Sequence, residues 1–328
     1  RSGRVTGVQT CALPISSLSL VKSALIEFPS SISLITNSAK SSRTKRVVPW
    51  KFRVLGYTLN LISLVNNNWA AAQLNKIWFT VYKRRPKPWV KKFWNQADRR
   101  IEINLSDQSI PVYCWGRGPL VVLMHGWSGS GTQFKHFIPA LTKAGYRVAV
   151  FDAPAHGTNP GKHSHLLDFT DSLVAIQQQI GPIDTVIAHS FGAMAVTLAT
   201  RRGLMLNRMV LIAPNLDVQE IFDSYTQLLK LRPKLVQKFK TLISIEFKKI
   251  LQIDHSWGLF TTINLLEDKY QSGLLVFDSA DEEVSQKHFN EIETHWSNSS
   301  VIKTQGLGHV RLLKDQDVIG QIISYLKL

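Results

Sequence analysis

The 328-residue sequence predicts an α/β protein: a mainly parallel central sheet, helices on both faces, and a helical insertion over residues 214–272. Three observations predict it. Short, continuously apolar runs such as Leu120–Met124 suit strands buried on both faces, because a half-exposed strand would alternate. These runs alternate with longer helical segments, as strand–helix–strand units require. Finally, Ser190 stands where one such strand meets a helix of small residues, Gly192-Ala193-Met194-Ala195-Val196.

The N-terminal part differs from the rest. Residues 1–100 hold 18 Lys and Arg against two acids, Glu27 and Asp98, whereas residues 101–328 hold 21 of each sign. The basic charge therefore acts from the N-terminal part, and the remainder is electrically balanced. Residues 1–15 resemble translated sequencing-adapter sequence, and the first methionine is Met124. With the Ser-rich stretch that follows, residues 1–48 are expected to be an artefact or an unordered extension.

Residues 49–96 are expected to form a basic helical extension, ahead of a catalytic domain over 97–328. Phe52, Leu55, Leu59 and Ile62 share one helical face, and Val54, Tyr57, Leu61 and Leu64 another. Asn66-Asn67-Asn68 breaks the run. A second helix carries Ala70, Leu74, Ile77 and Val81. The two prolines in Lys83–Trp94 predict an extended linker. Two roles fit the block. It packs on the catalytic domain, or residues 52–94 rest on an anionic membrane surface, their Trp, Phe and cations suiting that interface.

From Ile101 the elements follow in order. Ile101–Leu105 and Ile110–Trp115 predict a strand hairpin. Leu120–Met124 is the next strand, a glycine-rich turn follows, and a helix is expected over 132–144 with Gly145 beyond its end. Strands are expected at Arg147–Asp152, Ile183–Ala188, Met209–Ala213 and Leu274–Asp278, with helices over 166–180 and 191–202. The insertion predicts helices at Val218–Leu231, Pro233–Ile253 and Trp257–Tyr270.

Ala188-His189-Ser190-Phe191-Gly192 is the decisive motif. A serine on a sharp strand-to-helix turn projects its hydroxyl from the sheet top, beside the positive end of the helix. Small neighbours are needed because the two backbones nearly touch. With four further segments, this makes residues 101–328 resemble the α/β-hydrolase superfamily in its serine-nucleophile branch. The segments are His125-Gly126-Trp127, Asp152-Ala153-Pro154-Ala155-His156-Gly157 and Asp278-Ser279-Ala280-Asp281-Glu282-Glu283-Val284, followed by Gly306-Leu307-Gly308-His309. Ala188 replaces the family's first glycine and is only one methyl larger.

The resemblance implies a nucleophile at Ser190, the triad acid at Asp281 and the histidine at His309. Asp278 is the rival acid and reads better as a turn residue. The resemblance further implies backbone oxyanion donors at Trp127 and Phe191, support from His125, Gly126, His189 and Gly192, and a lid over 214–272. The implied reaction is cleavage of a small ester or thioester through an acyl-enzyme, without cofactor or metal. Other chemistry on the same triad stays open: perhydrolysis, carbon–carbon bond hydrolysis or acyl transfer. So does a non-catalytic binding protein.

Composition narrows the field. Two cysteines, Cys11 and Cys114, exclude a disulfide framework and a cysteine-based zinc ribbon. Gly126, Gly129 and Gly131 lack the lysine of a phosphate loop. A neutral catalytic region argues against a nucleic-acid partner, and a cytoplasmic protein with a small-molecule substrate is expected.

Overall fold

The computed structural model describes residues 50–83, 85–251, 260, 266 and 272–328. The expectation for residues 1–48 falls outside them, as does nearly all of the helix expected over 257–270. Among the described residues three helices come first: α1 (Trp50–Val65), α2 (Asn67–Trp78) and α3 (Pro88–Trp94). Strands β1 (Arg99–Asn104), β2 (Ser109–Trp115) and β3 (Leu120–Met124) follow, then α4 (Phe137–Lys143), β4 (Arg147–Phe151), α5 (Leu166–Ile180), β5 (Ile183–His189), α6 (Phe191–Arg201) and β6 (Arg208–Ile212). The insertion supplies α7 (Val218–Leu228) and α8 (Pro233–Leu251). The chain ends with β7 (Ser272–Asp278), α9 (Gln286–His295), β8 (Ser299–Thr304), α10 (Gly308–Arg311) and α11 (Gln316–Leu326).

The eight strands form one sheet in the order β1-β2-β4-β3-β5-β6-β7-β8. Only the β1–β2 and β2–β4 pairs are antiparallel; the others are parallel. Alternation along β3 splits its side chains between two cores. Leu120, Val122 and Met124 join a core with α5, α6 and α9; Val121 and Leu123 join one with α4 and α11. Helices therefore cover both faces, which is why the strand reads as unbroken apolar sequence.

Strand β3 lies between β4 and β5, so the winding direction reverses there. At such a switch point the connections leave on opposite faces and open a crevice at the carboxyl ends of the strands. The turn after β3 and the start of α6 after β5 both border that crevice.

Two expectations need correcting, and proline explains both. The stretch Lys83–Trp94 is not all extended, because Pro88 opens α3, where a missing N–H costs nothing. The helix expected over 132–144 is a short 3-10 turn, Gly131–Phe134, followed by α4. Inside one continuous helix Pro139 would lose a hydrogen bond and clash with the preceding turn, whereas at the third position of α4 it does neither. Helices α9 and α11 and strand β8 were not among the expected elements.

The N-terminal helices pack on the insertion. Gly56 of α1 meets α7's end so closely that a Cβ there would lie 1.9 Å from the Leu229 carbonyl oxygen. Asn60 donates from Nδ2 to the Lys230 carbonyl at 2.9 Å and accepts at Oδ1 from the Arg232 N–H at 2.9 Å. Asn67 donates to the Lys234 carbonyl. Leu55, Leu59, Ala70, Ala71 and Leu74 are buried, each leucine contributing about 1.5–3 kcal/mol. The ring of Trp78 meets Phe222, Tyr225 and Phe239 edge-on, with centroids 5.3–6.0 Å apart. Further on, Val81 donates its N–H to the Lys162 carbonyl and Lys83 Nζ reaches the Asn159 carbonyl.

Candidate active site

Ser190 caps α6 with φ 54° and ψ −122°, a region that costs a non-glycine residue about 1–3 kcal/mol. The surroundings hold it there. Its N–H donates to the Ile212 carbonyl of β6 at 3.0 Å. Two residues on, Gly192 packs against the end of β3, where a Cβ would come within 2.6 Å of the His125 carbonyl oxygen. That contact is the physical demand behind the small residue at this place. Phe191 is the first residue of α6, and the first N–H groups of a helix have no intrahelical acceptor.

His309 stands on α10, beyond the carboxyl end of β8. Its Nδ1 lies 2.8 Å from Asp281 Oδ2, and both side chains are almost fully buried. Asp281 is itself fixed, because its Oδ1 accepts the N–H groups of Glu283 and Val284. Burial works against a charged imidazole. The Asp281 hydrogen bond and the Glu283 and Asp281 charges outweigh it and raise the His309 pKa above its ordinary value.

Asp278, unlike Asp281, serves the loops rather than the imidazole. It accepts from Ala280 N, Thr304 Oγ1, Leu307 N and Gly308 N. Burial alone would push its pKa up, but these donors hold it below the usual carboxylate range. Asp278 thus ties the loop after β7 to the loop that carries His309.

The supporting residues hold backbone. His125 Nε2 accepts the Ala153 N–H at 2.9 Å, which puts the proton on Nδ1, where it donates to the Gly126 carbonyl at 2.7 Å. Desolvation keeps this ring neutral. His189 Nε2 bonds the His309 carbonyl at 2.9 Å, and burial pushes its pKa down to about 3, so it is a neutral donor there. Trp127 packs its ring on His156, Phe169 and Phe191.

Ser190, His309, Gly126, Trp127, His189 and Phe191 line one cavity of about 250 Å³. Val218, Tyr225 and Phe247 of the insertion contribute another wall. Sequence reasoning missed two features. Phe52, Leu55, Trp78 and Tyr82 of the N-terminal block also line the cavity. Glu283, given no role in the sequence analysis, places Oε2 3.4 Å from His309 Nε2. Its signal was its position two residues after Asp281. Glu220 joins it in the lining, and no Lys or Arg does among the described residues.

Comparison with known proteins gives consistent results. A family model described as "Alpha/beta hydrolase family" matches residues 121–320. Epoxide hydrolase B of Mycobacterium tuberculosis is 34% identical over 82 residues, covering 24% of this chain and 23% of that protein. The pimeloyl-[acyl-carrier protein] methyl ester esterase of Methylococcus capsulatus is 49% identical over 88 residues, covering 26% and 33%. The chain thus spans a third or less of the length of these two relatives. A bromoperoxidase crystal structure from Bacillus anthracis superposes with a TM-score of 0.53 at 18% identity, over 70% of this chain and all of that one, a likeness of fold.

Proposed function

The chain belongs to the alpha/beta hydrolase family, and from that footing we propose that it is a serine hydrolase of small esters or thioesters. One observation carries the reading: Ser190 on its strained turn shares a cavity with the buried His309–Asp281 pair. Epoxide and haloalkane chemistry on this fold uses a carboxylate nucleophile, and a serine holds that position here.

The steps follow from the residue types. Ser190 Oγ attacks the carbonyl carbon while His309 Nε2 takes its proton. Asp281 fixes the imidazole with Nδ1–H toward itself and stabilises the imidazolium. The tetrahedral oxyanion is met by the N–H groups of Phe191 and Trp127. Collapse breaks the bond to the alcohol or thiol, which leaves with the proton from Nε2. Water then repeats the sequence on the acyl-enzyme, releasing the acid and restoring Ser190.

The apolar walls suit a hydrocarbon acyl or alcohol part. Glu283 and Glu220, with no cation in the described lining, disfavour a substrate ending in a carboxylate. Turnover of p-nitrophenyl esters of increasing chain length tests the reading. Neutral acyl esters should be cleaved, and Ser190→Ala should lose roughly three or more orders of magnitude. Esterase activity retained at the wild-type level by purified Ser190→Ala would overturn the assignment.

A further inference from the structure

Helix α1 has two apolar faces, and among the described residues only one is used by the fold. Leu55, Gly56 and Leu59 are buried, and Phe52 and Leu55 reach the cavity wall. The other face carries Trp50, Val54, Tyr57, Leu61, Leu64 and Val65, between 42% and 80% exposed. Their spacing of 4, 3, 4, 3 and 1 keeps them together. At 100° per residue all six fall within an arc of about 100°. Arg53 is exposed at one border of that stripe, and Thr58 stands at the other.

The charge of the N-terminal block has one sign. Residues 50–97 contain nine Lys and Arg and no Asp or Glu, and Arg43, Lys45 and Arg46 precede the helix in sequence. A second copy of the chain would bring like charge against like charge. An anionic bilayer complements both parts: the apolar stripe enters the acyl boundary while cations at its edge meet lipid phosphates and carboxylates. No described helix is long and apolar enough to cross a membrane, so the contact is peripheral.

We infer that the outward stripe of α1 is a docking surface for an anionic membrane. The inference does not depend on the triad chemistry. The same 16-residue helix that forms part of the cavity wall would then rest on the bilayer, joining the substrate cavity to a lipid surface.

Sedimentation of the full chain with vesicles tests it, using phosphatidylcholine with 30% phosphatidylserine and phosphatidylcholine alone. The protein should pellet with the anionic vesicles at low salt and be released as salt screens the cations. The double variant Leu61→Glu/Leu64→Glu should weaken binding about tenfold or more, yet cleave a soluble ester as the wild type does, since neither residue lines the cavity. Three results would overturn the inference. Full-length protein that stays in the supernatant at low salt is one. Wild-type pelleting by the double variant is another. The third is a concentration-dependent dimer that the double variant abolishes while vesicles bind neither form, which would assign the stripe to a second copy.

Discussion

The carboxyl rim of the sheet and the N-terminal helical block meet at one cavity but are built by different rules. At the rim, backbone geometry dictates the residue. Ser190 must hold φ 54°, Gly192 must lack a Cβ, and Asp278 must accept four donors across two loops. In the block, Phe52, Leu55 and Trp78 fill space, and other apolar residues of similar volume would fill it too. Chemistry and shape are therefore separable here. Changes at the rim should remove turnover from an otherwise intact protein, and changes in the block should alter substrate fit and stability.

The largest expected effect separates the two acids of the rim. Asp281→Asn should lower kcat by roughly three to four orders of magnitude, because the amide no longer holds the imidazole tautomer or stabilises its cation. Asp278→Asn touches no imidazole atom, but it replaces an acceptor serving three backbone N–H groups and the Thr304 hydroxyl. It should reduce kcat less and the melting temperature more. The opposite ranking in folded variants would move the acid to Asp278 and erase the division of labour.

A middle-sized effect probes the block. Gly56→Leu places side-chain atoms against the Leu229 carbonyl, which a Cβ alone would approach to 1.9 Å. Overpacking of this kind costs about 1–3 kcal/mol and should push α1 from the cavity wall. KM for a medium-chain ester should rise about tenfold with kcat nearly unchanged. If kcat collapses instead, shape and chemistry are not separable.

The smallest effect concerns Glu283. A carboxylate 3.4 Å from Nε2 favours the imidazolium and so raises the His309 pKa. The base is neutral only above that pKa. Glu283→Gln should therefore move the acidic limb of kcat/KM to lower pH, leaving the plateau within a few-fold. A limb that stays in place would show that Glu283 does not face the imidazole in the working enzyme.

This contrast also explains what could be read from sequence. The strand–turn–helix at Ser190, the Asp281 spacing and the Gly306-Leu307-Gly308-His309 loop were legible because few residue types satisfy their backbones. Helix α5 was legible to the residue, with an apolar face and Gly181 at its end. Strand β8 was not: Ser299-Ser300-Val301-Ile302-Lys303-Thr304 is an edge strand, short and mostly polar. Helix α11 carried a usable signal in Asp315 as N-cap ahead of Val318, Ile319, Ile322 and Leu326. The partner of the N-terminal helices was illegible. Apolar spacing shows that a face is buried without showing against what, and Leu229 lies 173 residues from Gly56.

The most direct test of the serine nucleophile is intact-mass and peptide mass spectrometry after treatment with an alkyl fluorophosphonate. The account predicts one phosphonyl group on the peptide containing Ser190, formed faster as His309 deprotonates, and no adduct on that peptide in Ser190→Ala. A folded wild-type protein that stays unlabelled, or equal labelling of Ser190→Ala at another residue, would contradict it.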